Sequence, residues 1–103
     1  MDTAEATWAV PADHPAFAGH FPVRPIVPGV VLLDHAVLLA ARMRGTPQAT
    51  GWQIAQAKFF EPVGPSQALR FTLRTTPRGT VAFSVRCDGR EVASGSLVPP
   101  AAP

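Results

Sequence analysis

A segment that is apolar on almost every side of a helix has to be surrounded by other structure, and the run from Ile26 to Ala41 is such a segment. It is too short to cross a bilayer, and Asp34 and His35 interrupt it, so it reads as the buried helix of a globular domain. Pro28 suits a first helical turn, and no glycine or proline falls between Val30 and Met43. Arg42 and Arg44 lie where the helix dipole favours cations, and Gly45 is placed to end the helix as its C′ residue.

Beyond that helix the hydrophobic period changes to two. Leu69, Phe71 and Leu73 alternate with Arg70, Thr72 and Arg74, then Val81, Phe83, Val85 and Cys87 alternate with Ala82, Ser84 and Arg86. Pro77-Arg78-Gly79 turns between these strands, and Asp88-Gly89 is a tight-hairpin signal leading into a strand from Arg90 to Val98. A further strand is expected from Trp52 to Phe60, closed by Pro62, Gly64 and Pro65, and a short first strand over residues 4–10. One apolar helix followed by an antiparallel meander is an α+β pattern, a curved sheet wrapped around a central helix. With 103 residues and no linker or repeat, residues 1–98 read as a single domain and residues 99–103 as a disordered tail. A chain of this size gains by burying one face against a second copy of itself.

Composition narrows the function. Nine Lys and Arg against seven Asp and Glu leave a charge of +2, and the basic residues are scattered, which gives nucleic-acid binding little support. Charged residues make up only 16% of the chain, a hint of apolar surface awaiting cover. One cysteine, Cys87, excludes an internal disulfide and fits a reducing compartment. The first residues, MDTAEATW, carry acids where a signal peptide needs bases, so the protein reads as cytoplasmic.

The chemistry concentrates in GHFPVRPIVPGVVLLD, from Gly19 to Asp34. His20 sits in a loop punctuated by Pro22, Pro25 and Pro28, and an imidazole there can act as a base. A helix beginning near Gly29 offers unpaired N–H groups, and Asp34 is a carboxylate in apolar company. Together these point to acid–base chemistry beside an oxyanion site. The other candidates read more simply. His14 shapes a loop before Pro15, and His35 falls on a different helix face from Asp34. Cys87 is a core thiol on the apolar face of its strand. Arg70, Arg74 and Arg86 share the outer sheet face, which reads first as a solvated face and only second as a dock for an acidic partner. No set of His, Cys, Asp and Glu has a metal-ligand spacing.

The segment AGHFPVRPIVPGVVLLD resembles the signature of the 3-hydroxyacyl-ACP dehydratases of the hot-dog fold: a histidine, a glycine nine positions later and an acid fourteen positions after the histidine. AKFFEPVGPSQALRFTL is similar to the strand–turn–strand that follows the central helix in that family. The short length looks more like the small dehydratases of polyketide or aryl-polyene clusters. The resemblance implies a cofactor-free hydro-lyase acting on a 3-hydroxyacyl chain carried by acyl carrier protein, in a homodimer. By the same resemblance His20 is the base that takes the C2 proton, the Gly29 N–H stabilises the thioester oxyanion, and Asp34 protonates the departing hydroxyl. Burial among Val30, Val31, Val37 and Leu38 is expected to hold Asp34 in the neutral form that this needs. Three departures from the family stand out. Leu38 replaces a glutamine one turn after the acid, Val23 replaces a glycine after GHFP, and no tyrosine is present to gate the substrate.

Three functions remain open on this reading. They are the dehydratase, a hot-dog thioesterase using Gly29 and Asp34 to direct water, and a non-catalytic acyl-binding or partner subunit. Hydrolysis does not need His20, and a subunit without activity has no reason to keep both His20 and Asp34.

Overall fold

The structure is a computed structural model, and it describes residues 3–14 and 26–101. Its elements run in the order β1 (Thr3–Ala9), α1 (Gly29–Met43), β2 (Gln53–Phe59), β3 (Ala68–Thr75), β4 (Val81–Cys87) and β5 (Arg90–Val98). All five strands join one antiparallel sheet in the order β1-β3-β4-β5-β2.

The turn chemistry acts as the sequence indicates. Asp88 and Gly89 both take positive φ, 53° and 78°, the pair a two-residue hairpin with right-handed strand twist requires. Between β3 and β4, Gly79 donates to the Thr76 carbonyl while the Thr76 and Thr80 hydroxyls meet at 2.7 Å. Gly45, at φ +74°, ends α1, and the Thr46 N–H reaches back to the Ala41 carbonyl at 2.9 Å. Only the place of β2 departs from a simple meander. Although it precedes β3 in the chain, β2 pairs with β5 at the far edge, so the connection into β3 crosses the end of the sheet.

Alternation sends Leu69, Phe71, Leu73, Val81, Val85 and Leu97 inward, all fully buried, each contributing about 1.5–3 kcal/mol of burial. Cys87 lies among them as a free, buried thiol. Helix α1 covers this face with Val31, Leu32, Ala36, Ala40 and Ala41. The helix is less enclosed than its composition predicts. Val30 and Asp34 are exposed, and Leu33, Val37 and Leu38 are only half-buried. The reason is geometric: one five-stranded sheet lines one side of a helix about 10 Å across, and the opposite stripe is left to some other cover.

Gly95 marks the tightest point of the sheet. A Cβ there would strike the Gln56 backbone carbonyl and meet the Phe83 ring at 2.8 Å. The Phe83 ring occupies the space that a side chain on β5 would otherwise take. Gly95→Ala is therefore expected to cost about 1–3 kcal/mol, read as a fall in melting temperature, with the cost surviving in a Phe83→Leu background because the carbonyl cannot move aside.

Candidate functional site

The site begins where the segment leading into α1 meets the β2–β3 connection. The Val27 N–H donates to the Val63 carbonyl at 2.7 Å, holding the approach to the helix against the β2–β3 connection. Pro28 stands at the N-cap in extended conformation and supplies no side-chain cap, and its carbonyl accepts from Val31 at 3.0 Å. The N–H groups of Gly29 and Val30 find no acceptor among the described residues. They carry the positive end of the helix dipole.

Gly29 lines a groove of about 390 Å³. One wall is Ile26, Val27, Gly29 and Leu32, and the other is the segment 59–63 running from the end of β2. The ring of Phe59 lies directly over Gly29: a Cβ on that glycine would stand 2.8 Å and 2.9 Å from two ring carbons. Glycine suits this position through close approach rather than a special backbone angle, since any side chain would have to move the ring. Glu61, at the rim, pairs with Arg90 at 2.8 Å on the exposed surface, an ion pair that adds little stability. An apolar slot with a few backbone donors at one end can take an acyl chain and polarise a carbonyl at its head.

Of the three predicted site residues, Gly29 is the first residue of α1 and lines the groove. Asp34 is on the same helix but exposed, so its own chain does not supply the burial expected from Val30, Val31, Val37 and Leu38. The physical reason is its angular position. It lies five positions after Gly29, which turns it about 140° around the helix, onto the stripe with Val30 and Leu38 that the sheet leaves uncovered. His20 lies outside the described residues, as do Val23 and the prolines at 22 and 25. Phe59 and Phe60 were not singled out from the sequence. The signal was present as two consecutive phenylalanines ending a strand, since alternation cannot bury both.

His35 serves the packing of helix on sheet. Its ring stacks on Trp8 with centroids 3.9 Å apart and planes at 8°, and it meets the edge of Phe71 at 5.0 Å. Burial, followed by the nearby Arg42 guanidinium, pushes its pKa below the ordinary 6.5. An imidazole with a lowered folded pKa binds fewer protons in the native state than in the unfolded chain. Its contribution to stability is therefore complete above about pH 6.5 and is lost as pH falls from there through the folded pKa. Melting curves between pH 7.5 and 5 are expected to show this decline, and His35→Phe, which keeps the stacked ring, should flatten it. An unchanged slope in the variant would assign the decline to other groups.

Elsewhere the polar face of the sheet is ordinary. Arg70 and Arg86 are register partners across β3 and β4, and Arg70 pairs with Glu5 at 2.6 Å on the surface. Among the described residues, no helix is long and apolar enough to cross a membrane.

A family model described as ApeI-like, ApeI dehydratase, matches residues 1–96. The chain belongs to this dehydratase family. It is 35% identical over 96 residues to the 3-hydroxyacyl-[acyl-carrier-protein] dehydratase FabZ of Allorhizobium ampelinum, covering 86% of this chain and 60% of that one. It is 33% identical over 101 residues to the FabZ of Syntrophotalea carbinolica, covering 85% and 67%. The chain thus spans about three fifths of the first relative's length. Among solved structures, the dehydratase heterocomplex ApeI:P from Xenorhabdus doucetiae superposes with a TM-score of 0.77 at 26% identity, over 94% of this chain and 86% of that one. The (R)-hydratase from A. caviae matches with a TM-score of 0.68 at 16% identity, a likeness of fold alone. The fold of this ApeI-like chain is the hot dog, as the resemblance of its helix and strand motifs implied.

Proposed function

We propose that the protein is a 3-hydroxyacyl-[acyl carrier protein] dehydratase that forms a trans-2-enoyl thioester. The observation that carries this reading is the apolar groove headed by the Gly29 N–H, unpaired among the described residues, in a chain whose family is a dehydratase family. A thioester carbonyl at that N–H gains most when charge develops on its oxygen, as it does when the C2 proton is removed. His20 takes that proton as a neutral imidazole. Asp34 delivers a proton to the C3 hydroxyl, which leaves as water while the double bond forms between C2 and C3. Both steps use side chains and backbone alone, and no cofactor is required.

The exposure of Asp34 supports a further part of the reading, that the working unit is a homodimer. Ile54, Phe59, Phe60 and Val30, exposed by 49%, 51%, 52% and 60%, are the large hydrophobic residues left uncovered among the described residues. Three belong to β2 and its end, and Val30 is beside Gly29, against which Phe59 packs. They therefore mark one side of the molecule, along an unpaired sheet edge. A second copy on that edge would cover them, and Asp34 would gain apolar surroundings from its partner. In this arrangement His20 of one subunit works with Asp34 of the other.

The carrier is an acyl carrier protein, as the names of the FabZ relatives suggest. Incubation with a panel of 3-hydroxyacyl-ACPs, followed by intact mass, tests the reaction. Loss of water from the acyl chain is expected, whereas release of free acid would indicate a thioesterase.

A further inference from the structure

Phe59 ends β2 on the inner face of the sheet, opposite Ala93, and its ring reaches across to the first residue of α1. Three ring carbons lie 2.8, 2.9 and 3.2 Å from where a Cβ on Gly29 would stand, so a methyl group fits between ring and helix only if the ring shifts. The ring also forms part of the groove wall beside the Gly29 N–H. In the single chain Phe59 is half exposed.

From this geometry we propose that Phe59 is a specificity-determining residue: it discriminates against acyl thioesters branched at C2, the carbon next to the thioester carbonyl. The inference rests on the dehydratase reading, which places that carbonyl at the Gly29 N–H. A carbonyl oxygen accepting from this N–H sits about 2.9 Å from the nitrogen, which brings C2 alongside whatever flanks the Gly29 Cα. What flanks it is the Phe59 ring. A hydrogen at C2 passes beneath the ring edge, whereas a methyl group must push the ring off Gly29. Because the contact is made by the far end of the Phe59 side chain, the ring can shift at a cost, so branching is disfavoured rather than forbidden. One methyl group misfitted in an apolar pocket discriminates by roughly 10- to 200-fold.

The test compares kcat/KM for a 3-hydroxyacyl-ACP and its 2-methyl counterpart of equal chain length, in wild type, Phe59→Leu and Phe59→Ala. Leucine keeps apolar bulk at the end of β2 and serves if alanine does not fold. The wild type is expected to favour the unbranched substrate about tenfold or more, and the ratio should fall to within about threefold in the variants. A ratio that stays the same in a folded variant overturns the proposal, because a purely structural role for Phe59 would slow both substrates alike.

Calorimetric affinities for pantetheine amides bearing saturated chains, with and without a 2-methyl group, are measured on the same proteins. They keep the two hypotheses separate. If neither ACP substrate loses water but the affinity ratio still collapses in the variants, the filter stands and the dehydratase reading falls. If water is lost from the unbranched substrate and neither ratio changes, the reading stands and the filter falls.

Discussion

Alanine in place of His20 is expected to lower dehydration by ~10²–10⁴ while leaving the circular-dichroism spectrum and the oligomeric state unchanged. A general base acts on the rate and not on the packing of the core, so rate and stability should separate. A fall of less than a few-fold would remove His20 from the mechanism. The same variant allows a sharper test when combined with Asp34→Ala. Each should be nearly inactive alone. If the site is shared between subunits, a mixed dimer carries one doubly defective site and one intact site. After unfolding, mixing in equal amounts and refolding, about half the dimers are mixed and one of two sites works in each, so roughly a quarter of wild-type activity should return. Native mass spectrometry verifies that mixed dimers formed. If they form and no activity returns, His20 and Asp34 do not act across an interface.

The second large effect is expected from Ile54→Lys. Ile54 is half exposed on the edge strand β2, while its register partner Leu97 on β5 is fully buried. A lysine on an edge strand discourages pairing with another copy, and loss of a central apolar anchor typically costs an interface about 2 kcal/mol or more. The dimer is therefore expected to dissociate at micromolar concentration, read by light scattering, with the fold of each chain retained. Dehydration should disappear with it, since neither protomer would hold a complete site. A variant that stays dimeric and active would move the interface away from β2. One that becomes monomeric yet keeps its rate would show that a single chain suffices.

Much of the architecture was legible because it is local. The period-two alternation in Leu69–Leu73 and Val81–Cys87 defines inward and outward faces without reference to the rest of the molecule. Asp88-Gly89 specifies its own turn, and Gly45 its own helix end, since both depend on positive φ that few residues tolerate. The GHFP-to-Asp34 spacing, with its resemblance to the dehydratases, pointed to the family that residues 1–96 match. These are properties of neighbours in the chain.

The site was legible only in its chemistry. The sequence supplies Gly29, Asp34 and His20 as residue types able to polarise a carbonyl and move protons, but it does not say which side of α1 meets the sheet. An all-round apolar helix suggests all-round burial, and Asp34 was expected to share it. Tertiary structure decided otherwise, because a five-stranded sheet has one inner face and leaves the Val30–Asp34–Leu38 stripe open. Tertiary structure also carried β2 past β3 and β4 to pair with β5, which no local pattern encodes. That displacement brings Phe59 over Gly29, residues thirty positions apart in the chain, and so makes one wall of the groove. Secondary structure and residue chemistry follow from backbone sterics and hydrophobic period acting over a few residues. Which surfaces meet, and which remain to be covered, is set by long-range strand pairing that only the assembled sheet determines.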